Sequence, residues 1–420
     1  MADRQTLCTI RHGCLAIQGN TVEGVYKEKE FQKLTIHSDK DTVTDYGDCL
    51  IIPGMTDLHL HAPQYAFRGL GMDCELLDWL EKHAFQEEKK YSDLEYAGRA
   101  YRMFLNDLQK SPTTRACLFG TVHKESSLLL AKLLDSAGYP AYVGKVNMDK
   151  NSPDGLQEQS AEISVNDTRW FIEKVQSECH LVKPILTPRF VPSCSNLLLE
   201  ELGELCQEYA LPVQSHLSEN PKETQLVRKL FPNSHFYGDV YHHFGLFGSH
   251  SPAVMAHCVY SGEEELAKIK ENGVFIAHCP NSNTSLASGI APIQKYWDYG
   301  LSIGLGTDIA GGFSLSMLRA IQDAVSVSKL YWRLVDSSLP PLTFSQAFYM
   351  ATAGGGAFFP KTGTFLPGYE ADVVVLDDSG LPCPFPLSPE ERLERLCYLA
   401  DSDVVAAKYI QGKLVYARPL

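Results

Sequence analysis

The stretch PGMTDLHLHAPQ contains two histidines, His59 and His61, separated by one residue. In an extended strand alternate side chains share a face, so Asp57, His59 and His61 would lie on one face, with Leu58 and Leu60 on the other. Imidazole is the commonest metal ligand among side chains. The alternative is a pair of histidines that only pack in the core or lie at the surface. We therefore predict a strand with one apolar face and one polar face whose histidines are candidate metal ligands.

Three further segments place an imidazole or a carboxylate within or after an apolar run that is typical of a strand. QSHLSEN contains His216 and Glu219, MAHCVY contains His257, and GLGTD ends in Asp308. Each residue taken singly has a packing or surface role as its alternative. Imidazoles and a carboxylate that leave one position for water form a catalytic zinc site. Together these residues predict a metal-dependent hydrolase.

The elements that must position these residues are short apolar strands alternating with amphipathic helices. The eight strand candidates are residues 57–61, 116–123, 141–148, 182–190, 212–219, 254–260, 274–281 and 302–308. Helical patterns such as LLEELGELCQEYA and EEELAKIKENG lie between them. This alternation predicts an α/β fold, a (β/α)8 TIM barrel, in which catalytic residues lie at the C-terminal ends of the strands.

The two ends of the chain lack this alternation and consist of short β-like runs separated by turn residues. CTIRHGCLAIQG, FQKLTIHSD and DCLIIPG occupy the first part, and GTFLPGYEADVVVLD and VVAAKYIQGKLVYARP the last. We predict that residues 1–50 and 364–420 form one small β-sandwich domain and that residues 51–363 form the barrel.

Composition excludes several classes of partner. The net charge of −14, from 37 basic and 51 acidic residues, argues against binding to nucleic acid or to an anionic membrane. The twelve cysteines include no C-x-x-C pair. No run approaches the roughly 18 apolar residues of a membrane span. We expect a cytoplasmic protein with reduced thiols.

Taken together, PGMTDLHLH, HLSEN, AHCPNSN, GLGTD and GYEADVVVLD resemble the amidohydrolase superfamily. The H-x-x-E pair of His216 and Glu219 resembles the pair found in the mononuclear zinc deaminase branch of that superfamily. HAPQY, TPRFVPSCS, HCPNSN and GLGTDIAGG resemble the guanine-deaminating members of that branch. The resemblance runs from about residue 50 to the C-terminus, and it implies a barrel of the amidohydrolase type. Ser111-Pro112 departs from the usual Asn-Gly, but this turn carries no ligand, so we expect little effect.

The resemblance also implies a site and an activity. One zinc per subunit would be held by His59, His61, His216 and Asp308. The reaction would convert guanine to xanthine and ammonia: hydroxide on zinc attacks C2, Asp308 accepts the water proton, Glu219 shuttles protons and His257 hydrogen-bonds the water. The substrate-binding residues would be His61, Ala62, Pro63, Gln64, Arg189, Phe190, His216, Glu219 and Asp308. A homodimer is expected.

The chemistry of the side chains fits these substrate roles. Arg189 offers forked donors to a carbonyl such as O6, Gln64 offers a donor and an acceptor, and Phe190 offers a flat face. The alternatives are a salt-bridge role for Arg189 and a core role for Phe190.

Other readings of the chain remain open at this point. Binuclear relatives carry a carboxylated lysine on strand four, whereas Lys145 lies on strand three and Lys183 only at the start of strand four, which favours one metal. A deaminase of the same branch acting on 8-oxoguanine, a triazine or an adenosine-like compound would keep the same ligands. A non-catalytic assembly protein would be expected to lose some of them.

Overall fold

The computed structural model describes residues 3–31, 42–400 and 403–419. Its strands are β1 (Gly13–Gln18), β2 (Thr21–Lys27), β3 (Leu50–Pro53), β4 (Met55–His61), β5 (Thr113–Phe119), β6 (Ala141–Gly144), β7 (Val146–Asn147), β8 (Lys183–Pro184), β9 (Thr187–Pro188), β10 (Val213–Leu217), β11 (Ala253–His257), β12 (Phe275–His278), β13 (Ser302–Leu305), β14 (Val373–Leu376), β15 (Val405–Ile410) and β16 (Lys413–Ala417). Residues 32–39 of the predicted strand FQKLTIHSD lie outside the described residues.

The α-helices of the described residues are α1 (Glu28–Phe31), α2 (Leu76–Trp79), α3 (Phe85–Glu88), α4 (Leu94–Lys110), α5 (Lys124–Ser136), α6 (Ala161–Glu178), α7 (Asn196–Tyr209), α8 (Pro221–Leu230), α9 (Tyr237–His243), α10 (Glu263–Asn272), α11 (Pro280–Ser285), α12 (Ile293–Asp298), α13 (Met317–Leu334), α14 (Phe344–Tyr349) and α15 (Pro389–Leu399). A π-helical turn, Leu80–Ala84, joins α2 to α3. None of these helices combines the length and the apolarity that a bilayer-spanning helix needs.

The middle of the chain forms parallel sheets with helices between the strands, which confirms the predicted α/β class. One four-stranded sheet has the order β4-β5-β6-β8 and another the order β10-β11-β12-β13, with β7 paired to β9. A parallel bridge between Leu186 and Val213 connects the two regions. The predicted third and fourth strands are each broken in two. Each piece of the fourth strand ends at a proline, Pro184 or Pro188, which has no N–H to donate to a ladder.

Strand β4 corrects one expectation. The pairing of β4 with β5 shifts register between Asp57 and Leu60, where β4 carries one residue more than β5. As a result Leu58 and Leu60 do not share an apolar face: they lie in different clusters of buried apolar residues. The carboxylate of Asp57 accepts hydrogen bonds from the hydroxyl and the backbone N–H of Thr307, at 2.5 and 3.0 Å.

The C-terminal ends of β4 and β13 are held side by side by backbone hydrogen bonds. Asp308 N–H donates to the carbonyl of His59 at 2.8 Å, and His61 N–H donates to the carbonyl of Ile309 at 2.9 Å. These bonds bring Asp308 against both histidines of β4, although about 250 residues of chain separate them.

An antiparallel sheet with the order β16-β15-β14-β3 joins the two ends of the chain. The two residues between β15 and β16, Gln411 and Gly412, both have positive φ (50° and 73°), as a tight hairpin turn requires. The sheet is tied to the parallel strands by Arg115 of β5, whose guanidinium donates to Asp372 at 2.6 and 3.0 Å. All twelve cysteines are free thiols.

Candidate active site

Four histidines and one aspartate meet at the C-terminal ends of the parallel strands. The Nε2 atoms of His61 and His216 are 3.1 Å apart. Oδ1 of Asp308 lies 3.2 Å from Nε2 of His59 and 3.6 Å from Nε2 of His61. Two sets of possible ligand atoms each lie within 4.8 Å of one another: those of His59, His61 and His216, and those of His59, His257 and Asp308.

Local backbone geometry aims these side chains. His257 ends β11 with φ at 74°, and Asp308 follows β13 with φ at 47°. A positive φ is uncommon for residues other than glycine and is retained chiefly where the surrounding structure imposes it. Ser218, with φ at 48°, turns the chain between His216 and Glu219. The turn leads directly into α8, which begins with a capping box at Asn220.

Hydrogen bonds donated from Nδ1 orient two of the imidazoles. His216 donates from Nδ1 to the carbonyl of Arg189 at 2.6 Å, and His257 from Nδ1 to the side-chain oxygen of Asn283 at 2.8 Å. Each ring therefore turns Nε2 towards the cluster, as is typical of histidines that bind metal. The Nε2 atoms of His59 and His257 are buried without a hydrogen-bond partner.

The protonation states also suit a metal. Burial lowers the pKa of His59, His61 and His216 below the ordinary value, which favours neutral rings. Burial alone would raise the pKa of Asp308, but the adjacent imidazoles outweigh it and hold the carboxyl ionised. Neutral imidazoles and an ionised carboxylate are the forms that ligate zinc. With the unpartnered Nε2 atoms, these residues fit such an ion.

Glu219 lies beside the cluster in a buried position. Burial raises its pKa to about 7, and the neighbouring His257 and the hydrogen bond from Ser288 oppose the rise. The hydroxyl of Ser288 donates to Oε1 at 2.8 Å, and Nε2 of His257 lies 3.5 Å from Oε2. Glu219 can therefore hold or release a proton near neutral pH.

A pocket opens onto the cluster. It is lined by His61, Gln64, Leu76, Leu77, Trp79, Leu80, Arg189, Phe190, His216, Glu219, Glu223, Leu286 and Asp308. Its apolar wall comes mainly from α2 and the π-helical turn, and its polar wall from the ends of the strands. An apolar pocket with a few converging polar groups is the usual form of a small-molecule site.

Most of the residues predicted from the sequence therefore lie together. His59 and His257 belong to the cluster, and the pocket is lined by His61, Gln64, Arg189, Phe190, His216, Glu219 and Asp308. Ala62 and Pro63 are buried in the 3-10 turn Ala62–Phe67 and are not among the lining residues. The ammonium of Lys145 contacts the carboxylate of Glu158, and Lys183 is exposed.

Arg189 and Gln64 have a partner that sequence reasoning missed. The guanidinium of Arg189 donates to both carboxylate oxygens of Glu88, at 2.6 and 3.0 Å, and Gln64 Nε2 donates to one of them at 2.7 Å. The salt bridge that was the alternative for Arg189 thus exists. Glu88 stands in the run FQEEKK, whose charges look like those of a solvent-exposed helix, so no signal in the sequence marks it. Asn283, by contrast, stands in the motif HCPNSN.

The Amidohydrolase family profile matches residues 50–415. The guanine deaminase of Rattus norvegicus is 38% identical over 94% of this chain and 86% of its own. The crystal structure of a guanine deaminase from C. acetobutylicum, with guanine bound in its active site, superposes with a TM-score of 0.94. It is 43% identical and covers 99% of this chain and 97% of its own.

An adenosine deaminase from Xanthomonas campestris with bound zinc shares the fold. The TM-score is 0.80 at 20% identity, over 96% of this chain and 88% of that one. The chain therefore belongs to the amidohydrolase family and, within it, to the guanine deaminases.

Proposed function

We propose that this chain catalyses the hydrolytic deamination of guanine to xanthine and ammonia, with one zinc ion per subunit. His59, His61, His216 and Asp308 would hold the ion. The observation that carries the proposal is the position of Glu219, a carboxyl group with a pKa of about 7, which lines the pocket beside the histidine cluster. This combination supports acid–base chemistry next to a metal.

The residues of the chain divide the proton transfers between them. Zinc, when bound, would supply Lewis-acid activation of water at neutral pH. Asp308 accepts the proton that the water gives up. Glu219 donates a proton to N3 of guanine, which makes C2 electrophilic, then takes the proton of the hydroxyl added at C2 and passes it to the leaving amine. The proton held by Asp308 returns Glu219 to its protonated form. His257 Nε2, 3.5 Å from Glu219, hydrogen-bonds the attacking water.

The purine would lie between the apolar and the polar walls of the pocket. Arg189 has five N–H donors, of which Glu88 takes two, so donors remain for O6. Gln64 hydrogen-bonds the ring edge, and Phe190 offers a flat face to it. Ala62 and Pro63 precede Gln64 in the 3-10 turn Ala62–Phe67 and would contribute to substrate binding by holding Gln64 in place.

The wider organisation follows the same family. We infer a closed (β/α)8 barrel over residues 51–363 and a small β-sandwich domain from residues 1–50 and 364–420. The Leu186–Val213 bridge and the bonds between the ends of β4 and β13 support the closure. A cytoplasmic homodimer remains our prediction.

Ammonia release from a substrate panel tests the function. Guanine should be by far the best substrate in a panel with 8-oxoguanine, adenine and ammeline. Adenine presents an amino group where guanine has O6, so the donors of Arg189 would face another donor and discrimination of about 10⁴ or more is expected. Faster release from 8-oxoguanine or ammeline would overturn guanine as the substrate.

A further inference from the structure

Glu88 is a buried carboxylate that the proposed mechanism does not use. It is the last residue of α3, follows the π-helical turn Leu80–Ala84, and is 2% exposed. Its partner Arg189 is 3% exposed. The two form a forked, doubly hydrogen-bonded ion pair. Breaking such a pair by removing one partner is costly, because the other charge stays buried and uncompensated.

Glu88 also determines which way the Gln64 amide faces. A carboxylate only accepts hydrogen bonds, so the 2.7 Å contact must come from the NH2 group of Gln64. The amide oxygen then faces the N–H of Ala310, at 3.3 Å. One carboxylate thus orients the donors of Arg189 and the donor and acceptor of Gln64 at the same time.

Glu88 also balances the charge of Arg189. The guanidinium of Arg189 is permanently cationic and lies 5.1 Å from the centre of the Phe85 ring, a contact that does not cancel its charge. Glu88 provides the negative charge in direct contact with it. The Arg189–Glu88 pair therefore carries no net charge and offers hydrogen bonds to a neutral ring without attracting an anionic one.

We propose that Glu88 is a positioning and specificity-determining residue: it orients Arg189 and Gln64 towards the purine and, by neutralising Arg189, makes the pocket select neutral over anionic purines. This inference rests on the proposed function.

The test compares the parent enzyme with Glu88→Gln at one pH. Three quantities are measured: kcat/KM for guanine, inhibition by neutral hypoxanthine and inhibition by the urate anion. Glu88→Gln should lower kcat/KM for guanine roughly ten-fold or more, mainly through KM. It should also strengthen inhibition by urate relative to inhibition by hypoxanthine. The ratio of the inhibition constant of hypoxanthine to that of urate should rise roughly ten-fold or more, because an uncompensated cation attracts the anion.

Glu87→Gln is the matched control. Glu87 is the neighbouring buried glutamate, and its carboxylate accepts from Lys90 at 2.7 Å and from Tyr96 rather than from pocket residues. A purely structural role for Glu88 predicts that both variants lose thermal stability without changing the urate-to-hypoxanthine ratio. That result, with guanine kcat/KM of Glu88→Gln near the parent value, would overturn the inference.

Glu88→Asp covers the case in which Glu88→Gln does not fold. It keeps the charge but shortens the side chain, so kcat/KM for guanine should fall while the inhibitor ratio stays at the parent value. An Asp variant as efficient as the parent would overturn the positioning role. A parent protein inactive on guanine would overturn the proposed function and this inference together, whereas an active parent with unaffected variants overturns this inference alone.

Discussion

At the scale of single residues, the chemistry depends on a carboxyl group held away from water. Burial raises the pKa of Glu219 to about 7, and Ser288 and His257 keep its two oxygens in place. A carboxyl group with an ordinary pKa would be almost fully ionised at neutral pH and could not donate a proton. The buried environment therefore supports the role of Glu219 as proton carrier.

Glu219→Gln should abolish most turnover but retain zinc. The amide matches the shape of the carboxyl group but cannot carry protons, and general acid–base catalysis contributes about 10²–10⁴-fold. Parallel measurement of kcat and of zinc by elemental analysis checks this. A variant with full zinc and near-parent turnover would exclude Glu219 as the proton shuttle.

The same carboxyl group predicts a direction for the pH profile. The donating form is the protonated one, and with a pKa of about 7 it is lost as the pH rises through that value. The rate kcat should therefore decline on the alkaline side of neutrality, and Glu219→Gln should lack this limb. A profile measured from about pH 6 to about pH 9 that rises throughout would contradict the assignment.

At the scale of elements, the parallel strands and the antiparallel sheet are joined by buried polar contacts. Arg115 of β5 donates to both oxygens of Asp372, which lies just before β14. Lys408 of β15 is fully buried, and its Nζ donates to the carbonyls of Leu108 and Thr113 at 2.8 and 3.0 Å. These contacts fix the sheet against the N-terminal end of β5, whereas the histidine cluster lies at the C-terminal ends of the parallel strands.

Asp372→Asn should destabilise the protein without changing the chemistry of the site. The variant would leave the buried guanidinium of Arg115 with the partly exposed Glu370 as its remaining anionic contact, so we expect a loss of up to about 3–5 kcal/mol. Denaturant unfolding measures this loss. The control is Asp78→Asn, which breaks an exposed pair with Lys82 and should leave the free energy of unfolding close to that of the parent. Equal losses in the two variants would show that the buried pair does not hold the sheet.

At the scale of the whole molecule, the cluster joins β4, β10, β11 and the loop after β13, so an ion bound there would cross-link distant parts of the chain. A metal that binds only the folded state stabilises it by mass action, by about 2.7 kcal/mol when free metal is a hundred times its Kd. Stability should thus depend on zinc.

Chelation should lower the thermal unfolding midpoint of the parent, and added zinc should restore it. His216→Ala should lose most of the metal and all of this zinc dependence, whereas His235→Ala, an exposed histidine before α9, should behave like the parent. Elemental analysis should show about one zinc per chain. Two metals per chain with Lys145 or Lys183 modified would contradict the mononuclear site.

Local patterns in the sequence were enough for the strands and for most of the candidate site. Hydrophobic runs and turn residues act over a few positions, so each predicted parallel strand could be located from its own neighbourhood. The one-residue spacing of His59 and His61 and the three-residue spacing of His216 and Glu219 are likewise local. The motifs around them added the family and the ligand set.

Tertiary structure alone decided the features that depend on partners distant in the chain. Glu88 pairs with Arg189, 101 residues away, and is buried by that contact although the charges of its helix are typical of a solvent-exposed one. The register shift in β4 separates Leu58 from Leu60, which strict alternation places together. The physical reason is that spacing along the chain determines which way a side chain points, whereas burial, charge pairing and strand register depend on what packs against it.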